Sequence, residues 1–194
     1  MRENDSEVRA FIAIDLPEEV RLFLRELSEE LRGLGREVRW TRPQGIHLTL
    51  KFLGNVHKES LGAIRDQASI VFSAAESVRL GVHGLGAFPS LNKPRVIWAG
   101  LQDATGTLAP LAGRLESLLE PLGFKKEKRP FRPHLTLGRV KSRGINSDLK
   151  TAIMQKMDIS GPSFVADHAI LFRSILKPLG AEYHVLHRFD FGGT

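Results

Sequence analysis

The stretch RPQGIHLTL (residues 42–50) recurs later in the chain as RPFRPHLTL (residues 129–137). Six of the nine positions are identical, including the final His-Leu-Thr-Leu. His47 and His134 are therefore equivalent residues, separated by 134 − 47 = 87 positions. Because no period of about 20–50 residues is present, the repeat predicts one internal duplication and not a solenoid of many units.

The segments in front of the two motifs follow the same order. Residues 9–16 (RAFIAIDL) are typical of a buried strand, and Pro17 with the two glutamates after it favours a helix start. The helical spacing of leucines ends near Gly33. Shifted by 87 positions, this pattern predicts a second strand at 95–101 and a second helix at about 105–122. Each half thus contains a strand, a helix, a basic stretch and a motif.

Further elements are predicted outside these segments. They are a helix at about 59–77 and strands at 78–86, 164–172 and 181–191, the last two around a KPLG turn. No low-complexity linker separates the halves, so we expect one compact unit over residues 1–194. Within it the first motif belongs to about 9–56 and the second to about 95–141.

The composition narrows the class of protein. With 42% apolar and 26% charged residues, the chain has the composition of a soluble globular protein. It has no cysteine, which excludes disulfides, a catalytic thiolate and Cys-ligated metal sites. Lys and Arg exceed Asp and Glu by 28 − 22 = 6, and the isoelectric point near 9.9 favours phosphate-bearing partners. No signal peptide or membrane span is predicted, so we expect a cytoplasmic protein without a membrane partner.

The His-x-Thr-x motif has a chemical meaning if it forms a strand. Side chains alternate between the faces of a strand, so His47 and Thr49 share one face while the leucines enter the core. His134 and Thr136 repeat this arrangement in the second half. Two such strands related by a pseudo-two-fold axis place two histidines on opposite sides of one cleft. In-line displacement at phosphorus needs a base and an acid placed in that way, and a histidine pKa of ~6.5 suits both roles. The threonine hydroxyls can donate to phosphate oxygens.

The repeated motif is also compatible with two roles other than catalysis. Duplication can preserve the leucines for packing and carry the histidines along, but this does not explain why both polar residues persist while their neighbours differ. A zinc site is the second such role. The Thr position supplies no ligand to it, and the carboxylates form no compact cluster with the histidines, so no metal is expected.

Residues beside the motifs are further candidates. Lys51, on the His47 face by strand parity, and Arg132 are the nearest cations and are candidates for substrate contact. Arg42 and Arg129, the first residues of the two repeated stretches, either bind phosphate or are repeated surface charge. Phe11 and Trp98 occupy equivalent positions in the two halves and either stack on a base or pack in the core.

These segments together resemble the two-histidine (2H) phosphoesterases, and most closely the bacterial and archaeal RNA 2′,3′-cyclic phosphodiesterases, also called 2′-5′ RNA ligases. The similarity covers nearly the whole chain and is carried by both motifs and by RAFIAIDLP, GAFPS, PRVIWAG and LFRSILKPLGAEY. Gly138 stands where the family more often has alanine. The resemblance implies a bilobal α+β fold, with two pseudo-two-fold-related lobes whose antiparallel sheets line a central basic cleft and whose helices lie outside.

The same resemblance implies a function. It implies an enzyme that hydrolyses terminal 2′,3′-cyclic phosphates of RNA to 2′-phosphomonoesters, with no metal or other cofactor. His47 is then the proton donor and His134 the proton acceptor, while Thr49 and Thr136 hold the phosphate oxygens. The residues alone do not order the pair, because the two halves look alike. RNA ends are the expected partner, and we expect a monomer.

Two other functions stay open from the sequence. The same displacement run in reverse would join RNA ends through a 2′-5′ bond. The chain has neither a GxxxxGK[ST] loop nor the Lys-x-Asp-Gly run of nucleotidyl-transferring ligases, so such joining would be independent of ATP. A non-catalytic module that binds RNA ends would shield a cyclic phosphate without consuming it, and turnover distinguishes it from an enzyme.

Overall fold

The computed structural model describes residues 6–141, 144–177 and 180–192. Part of the predicted KPLG turn, residues 178–179, lies outside the described residues. The helices are α1 (Glu18–Arg32), α2 (Leu61–Ser73), α3 (Leu108–Leu119) and α4 (Ser147–Gln155). The strands are β1 (Glu7–Ile14), β2 (Val38–Trp40), β3 (Leu48–His57), β4 (Val78–Phe88), β5 (Val96–Asp103), β6 (His134–Val140), β7 (Ser160–Ala166), β8 (His168–Lys177) and β9 (Gly180–Asp190).

Helix α1 illustrates how the sequence sets the bounds and the buried face of a helix. Pro17 is the residue before its first turn, and Glu18 and Glu19 stand where the positive end of the helix favours carboxylates. Apolar residues spaced three or four positions apart form its buried face: Val20, Leu24, Leu27 and Leu31. The helix therefore packs one apolar face against the sheet.

The strands form one antiparallel sheet that is arranged symmetrically about its centre. Eight strands follow the order β7-β4-β5-β6-β3-β1-β8-β9, and β2 pairs with the far end of β6. The motif strands β6 and β3 are the central pair, with β5 and β1 beside them. This confirms the predicted α+β class with antiparallel strands, and the strands of the two predicted lobes belong to one continuous sheet.

The two halves of the chain exchange strands. β4, from the first half, pairs with β5 of the second half, and β8, from the second half, pairs with β1 of the first. Each side of the sheet therefore contains strands from both halves. One buried apolar cluster runs from Val8 to Phe191 and includes residues of all four helices.

The opposite face of the sheet carries a second, smaller cluster. It consists of Phe11, Ala13, Ile170 and Phe172, with Tyr183 packed against it. Phe11 and Ala13 alternate along β1 with residues that point into the large cluster, as strand geometry requires. The helices thus cover one face of the sheet, and the motif histidines share the other face with this small cluster.

Two parts of the fold differ from the sequence prediction. Helix α4 was not predicted, because only Leu149 and Ile153 in its nine residues are buried, too few for a helical stripe to be recognised. The single strand predicted at 164–172 is two strands, β7 and β8, separated at Asp167. They pair with β4 and β1 on opposite sides of the sheet, and a continuous apolar run does not show such a change of partner.

Candidate active site

The two motif strands are direct neighbours in the sheet. β3 and β6 run antiparallel and pair at Leu48 and Leu135, the first leucine of each motif. In both copies the two leucines are buried, and the histidine and threonine that alternate with them are partly exposed. The alternation predicted for His-Leu-Thr-Leu is therefore confirmed.

This pairing brings the four polar motif residues into one block. Continued by one position in each direction from Leu48 and Leu135, this register would set His47 opposite Thr136 and Thr49 opposite His134. Directly opposed side chains on one face of an antiparallel pair have Cβ atoms ~4.5–5.5 Å apart, and diagonal ones ~7–8 Å. The two histidines occupy a diagonal, each with the threonine of the other strand across from it.

The imidazole of His47 lies among aromatic rings. It stacks on Phe11 with the centroids 4.5 Å apart and meets the Tyr183 ring edge-on at 5.1 Å. A hydrogen bond to the backbone of Gly45 also holds the ring. Burial disfavours the charged imidazolium and lowers the pKa of His47 from 6.5 to about 4, although the Gly45 bond opposes this. His47 is therefore neutral at pH 7 in the free protein.

The imidazole of His134 has fewer aromatic neighbours. Its Nδ1 is 2.7 Å from the carbonyl oxygen of Arg132. Because a carbonyl only accepts, Nδ1 carries the hydrogen, and Nε2 is the nitrogen left for chemistry. The Phe88 ring lies edge-on at 5.0 Å. Both motif histidines thus hydrogen-bond the backbone of the residue two positions before them, Gly45 in one case and Arg132 in the other.

The sequence matches a known family in both halves. A profile described as "LigT like Phosphoesterase" matches residues 14–98 and again residues 100–183, one match for each repeat. The chain belongs to the LigT-like phosphoesterases, within the two-histidine superfamily.

Individual phosphoesterases of this family are similar along nearly their whole length. An RNA 2′,3′-cyclic phosphodiesterase of Methanocaldococcus jannaschii is 33% identical over 179 residues, which are 92% of this chain and 98% of that protein. The crystal structure of TT0787 of Thermus thermophilus is similar with a TM-score of 0.81 and 30% identity, covering 95% and 98% of the two chains. That of E. coli LigT complexed with 3′-AMP is similar with a TM-score of 0.75 and 26% identity, again covering 95% and 98%.

In this LigT-like phosphoesterase, Arg21 of α1 holds the backbone in front of the first motif. The guanidinium donates to the carbonyl oxygens of Pro43 at 3.0 Å and Ile46 at 3.3 Å, and it pairs with Asp15. These contacts connect α1 to the chain immediately before His47. No sequence pattern singled out Arg21, because a lone arginine on a helix resembles surface charge until its acceptors are known.

Tyr183 of β9 is a second neighbour of the site that the sequence reasoning missed. Its ring lies edge-on to His47 and to Phe11. Burial raises the pKa of its hydroxyl, while the charges of Arg139 and Arg9 act in the opposite direction. Arg139 belongs to β6, the second motif strand, and Arg9 belongs to β1. It is the only tyrosine in the chain, and this was the one feature of the sequence that could have pointed to it.

The position of Lys51 corrects the prediction made from strand parity. Thr49 pairs with Ala13 and Lys51 pairs with Ile12, so β3 has one extra residue between two consecutive residues of β1. This β-bulge reverses the alternation beyond it. Lys51 consequently leaves the His47 face and enters the helix side of the sheet, where only 5% of its surface is exposed.

The buried ammonium of Lys51 is bound by protein oxygens. It forms an ion pair with Glu116 of α3 and donates to the carbonyl oxygen of Lys125 at 2.7 Å. A buried charge requires partners of this kind. Lys51 therefore joins the first motif strand to the second half of the chain, and the predicted substrate contact is replaced by a structural one.

The remaining predicted residues keep positions near the motifs. The side chain of Arg132 is exposed, and its carbonyl accepts the bond from His134. Phe11 is 3% exposed, so of its two alternatives the structure shows packing. Trp98 is partly exposed and packs on Phe88 at 5.1 Å.

Two broader features of the described residues bear on the site. Among them, no group of three or more His, Asp or Glu side chains could hold a metal ion. Within that same part of the chain, His47 and His134 therefore lack the third ligand that a metal site requires. Nor does any helix there have the length and apolar character needed to cross a membrane.

Proposed function

We propose that this protein hydrolyses terminal 2′,3′-cyclic phosphates of RNA to 2′-phosphomonoesters. The pairing of β3 and β6 at Leu48 and Leu135, each one residue after a motif histidine, is the observation that carries the proposal. Relatives from M. jannaschii and Thermotoga maritima, each 33% identical, are named RNA 2′,3′-cyclic phosphodiesterases and support it. So does the similarity to a LigT crystallised with 3′-AMP.

The proposed mechanism uses the two histidines as a general acid and a general base. One imidazole takes a proton from a water molecule as the water oxygen attacks phosphorus. The bond from phosphorus to the 3′ oxygen breaks, and the other imidazole gives that oxygen a proton. Thr49 and Thr136 donate to the non-bridging oxygens as negative charge builds there, and Arg132 contacts the phosphate from the rim. One water is consumed, and no metal takes part.

Which histidine donates a proton and which accepts one depends on whether His47 is protonated. The family resemblance assigns proton donation to His47, yet its pKa of about 4 leaves it neutral in the free protein at pH 7. An anionic phosphate beside the ring favours the imidazolium and raises that pKa. We propose that His47 takes up its proton when substrate binds and then donates it, while His134 accepts from water.

A product assay tests the activity and the absence of a metal together. Purified protein is incubated with an RNA oligonucleotide ending in a 2′,3′-cyclic phosphate, with and without EDTA, and the phosphate isomer is identified by ³¹P NMR. The expected product is the 2′-phosphomonoester at an unchanged rate. Protection of the cyclic phosphate without turnover would indicate a binding module. A rate abolished by EDTA and restored by a divalent ion would contradict the metal-free mechanism.

A further inference from the structure

The basic stretch in front of the second motif, KKEKR at residues 125–129, is a surface loop anchored to the core; we call it the basic loop. On either side of it Phe124 and Phe131 are partly buried against the main apolar cluster. The carbonyl of Lys125 accepts from the buried Lys51, and the backbone N–H of Glu127 donates to the Glu116 carboxylate at 3.1 Å. Four contacts therefore fix a segment that has no helix or strand of its own.

The acidic and basic side chains of the basic loop differ in their partners. The Glu127 carboxylate accepts from the backbone N–H groups of Lys128 at 3.0 Å and Arg129 at 3.4 Å. The Glu127 carboxylate is thus bound to N–H groups of the loop backbone. Lys126 pairs with Glu120 on the surface. The side chains of Lys125, Lys128 and Arg129 are exposed, and none of them pairs with a carboxylate among the described residues.

The first half has no equivalent of this loop. Its basic stretch, REVRWTR at residues 36–42, contains strand β2, which pairs with β6. Arg42 is exposed five residues before His47, as Arg129 is before His134, but the cluster of Lys125, Lys128 and Arg129 lies in front of His134. Arg129 is five residues before His134, which is at most ~18 Å along an extended chain. If the end of an RNA strand lies at the histidines, its next few phosphates are within that distance.

We propose that the basic loop binds the phosphate backbone of the RNA strand whose cyclic end occupies the active site. This inference rests on the proposed function, because it concerns the body of that same substrate. Lysine and arginine contacts to phosphates contribute affinity without reading sequence. The loop thus makes the enzyme favour polynucleotide ends over free cyclic nucleotides, and the preference weakens as salt rises.

The experiment compares a loop variant with a matched control. The loop variant combines Lys125→Gln, Lys128→Gln and Arg129→Gln. The control combines Arg25→Gln, Arg65→Gln and Arg114→Gln, three exposed arginines on helices α1, α2 and α3, so both proteins lose the same charge. Each is assayed on a nucleoside 2′,3′-cyclic monophosphate and on a cyclic-phosphate-terminated RNA of about ten nucleotides, over a range of salt concentrations.

The loop variant should raise KM for the oligonucleotide about tenfold at moderate salt and leave turnover of the mononucleotide unchanged. The slope of log KM against log salt concentration should fall by ~2, because each lost contact to a single strand removes ~0.7. The control should change neither quantity.

Three results would overturn the inference. They are an unchanged oligonucleotide KM, an equal loss on both substrates, and a control variant that behaves like the loop variant. Failure of the proposed function is separate, since the unmodified protein would then turn over neither substrate.

Discussion

The two motif histidines share a tetrapeptide, His-Leu-Thr-Leu, but not an environment. His47 is packed against Phe11 and Tyr183, and burial lowers its pKa to about 4. His134 meets one aromatic edge, that of Phe88, and is held mainly by a backbone carbonyl. The repeat therefore specifies which groups share one face of the sheet, while the surroundings of His47 lower its pKa.

The residues around the two histidines come partly from exchanged strands that differ in sequence. Tyr183, which contacts His47, lies on β9, in the second half of the chain. Phe88, which contacts His134, lies on β4, in the first half. Each histidine thus contacts an aromatic residue from the other half of the chain, in addition to residues of its own half. Equal motifs can therefore acquire unequal chemistry.

The largest effect should come from removing either histidine. His47→Ala and His134→Ala should each lower kcat/KM by about 10³–10⁴, and the double variant should lose little more, because in the proposed mechanism the two groups act in one displacement. Steady-state kinetics on a cyclic-phosphate oligonucleotide measures this, and melting temperatures confirm that the variants are folded. A folded single variant with near-normal activity would refute the paired acid–base mechanism.

Loss of either threonine hydroxyl should have the next largest effect. Thr49→Val and Thr136→Val keep the strand shape, and each should lower kcat by about 10²–10³, as for loss of one donor to a developing oxyanion. Each threonine lies across from the histidine of the other strand, so the two variants probe the two halves of the site separately. Thr→Ser at the same positions retains the hydroxyl and serves as the control. Full activity of both valine variants would mean that the threonines only form strands.

The sequence predicted the central part of this site and not its edges. Strand parity placed His47 and Thr49 on one face because it depends only on local geometry. The same rule failed two residues later at Lys51, because a bulge depends on the pairing with β1. Arg21 and Tyr183 were missed because their contacts with the first motif come from other elements of the fold, which no local pattern encodes.

The titration of His47 should also appear in stability. Its pKa in the folded protein, about 4, is below the ~6.5 of an unfolded chain, so between these values the unfolded state binds more protons. The free energy of unfolding should therefore fall by up to ~3 kcal/mol as pH drops from ~6.5 to ~4. His47→Asn removes the titrating group and should flatten this part of the curve. Urea titrations at several pH values test it, and parallel curves for the two proteins would show that His47 is not buried in its neutral form.

The smallest predicted effect concerns Arg21, which holds the first motif and has no counterpart in the second. The equivalent position, 21 + 87 = 108, is a leucine. Arg21→Gln removes donors to the Pro43 and Ile46 carbonyls and should lower kcat about tenfold with little change in KM, since misplacing a catalytic group mainly costs rate. Arg25→Gln, one turn further along α1 and exposed, is the control and should keep normal kinetics.

Charge and geometry can then be separated at this position. The Arg21 cation lowers the pKa of His47 and the Asp15 carboxylate raises it, so Arg21→Gln should raise that pKa. Arg21→Lys keeps the charge but lacks the planar fork whose three nitrogens bind the Leu16 carbonyl, the Pro43 and Ile46 carbonyls, and Asp15 at once. It should therefore lose rate as Arg21→Gln does while leaving the pKa of His47 close to its original value. NMR titration of the His47 ring in the three proteins measures the pKa. Full recovery of kcat in Arg21→Lys would show that Arg21 acts through its charge alone and that the first motif does not depend on its hydrogen bonds.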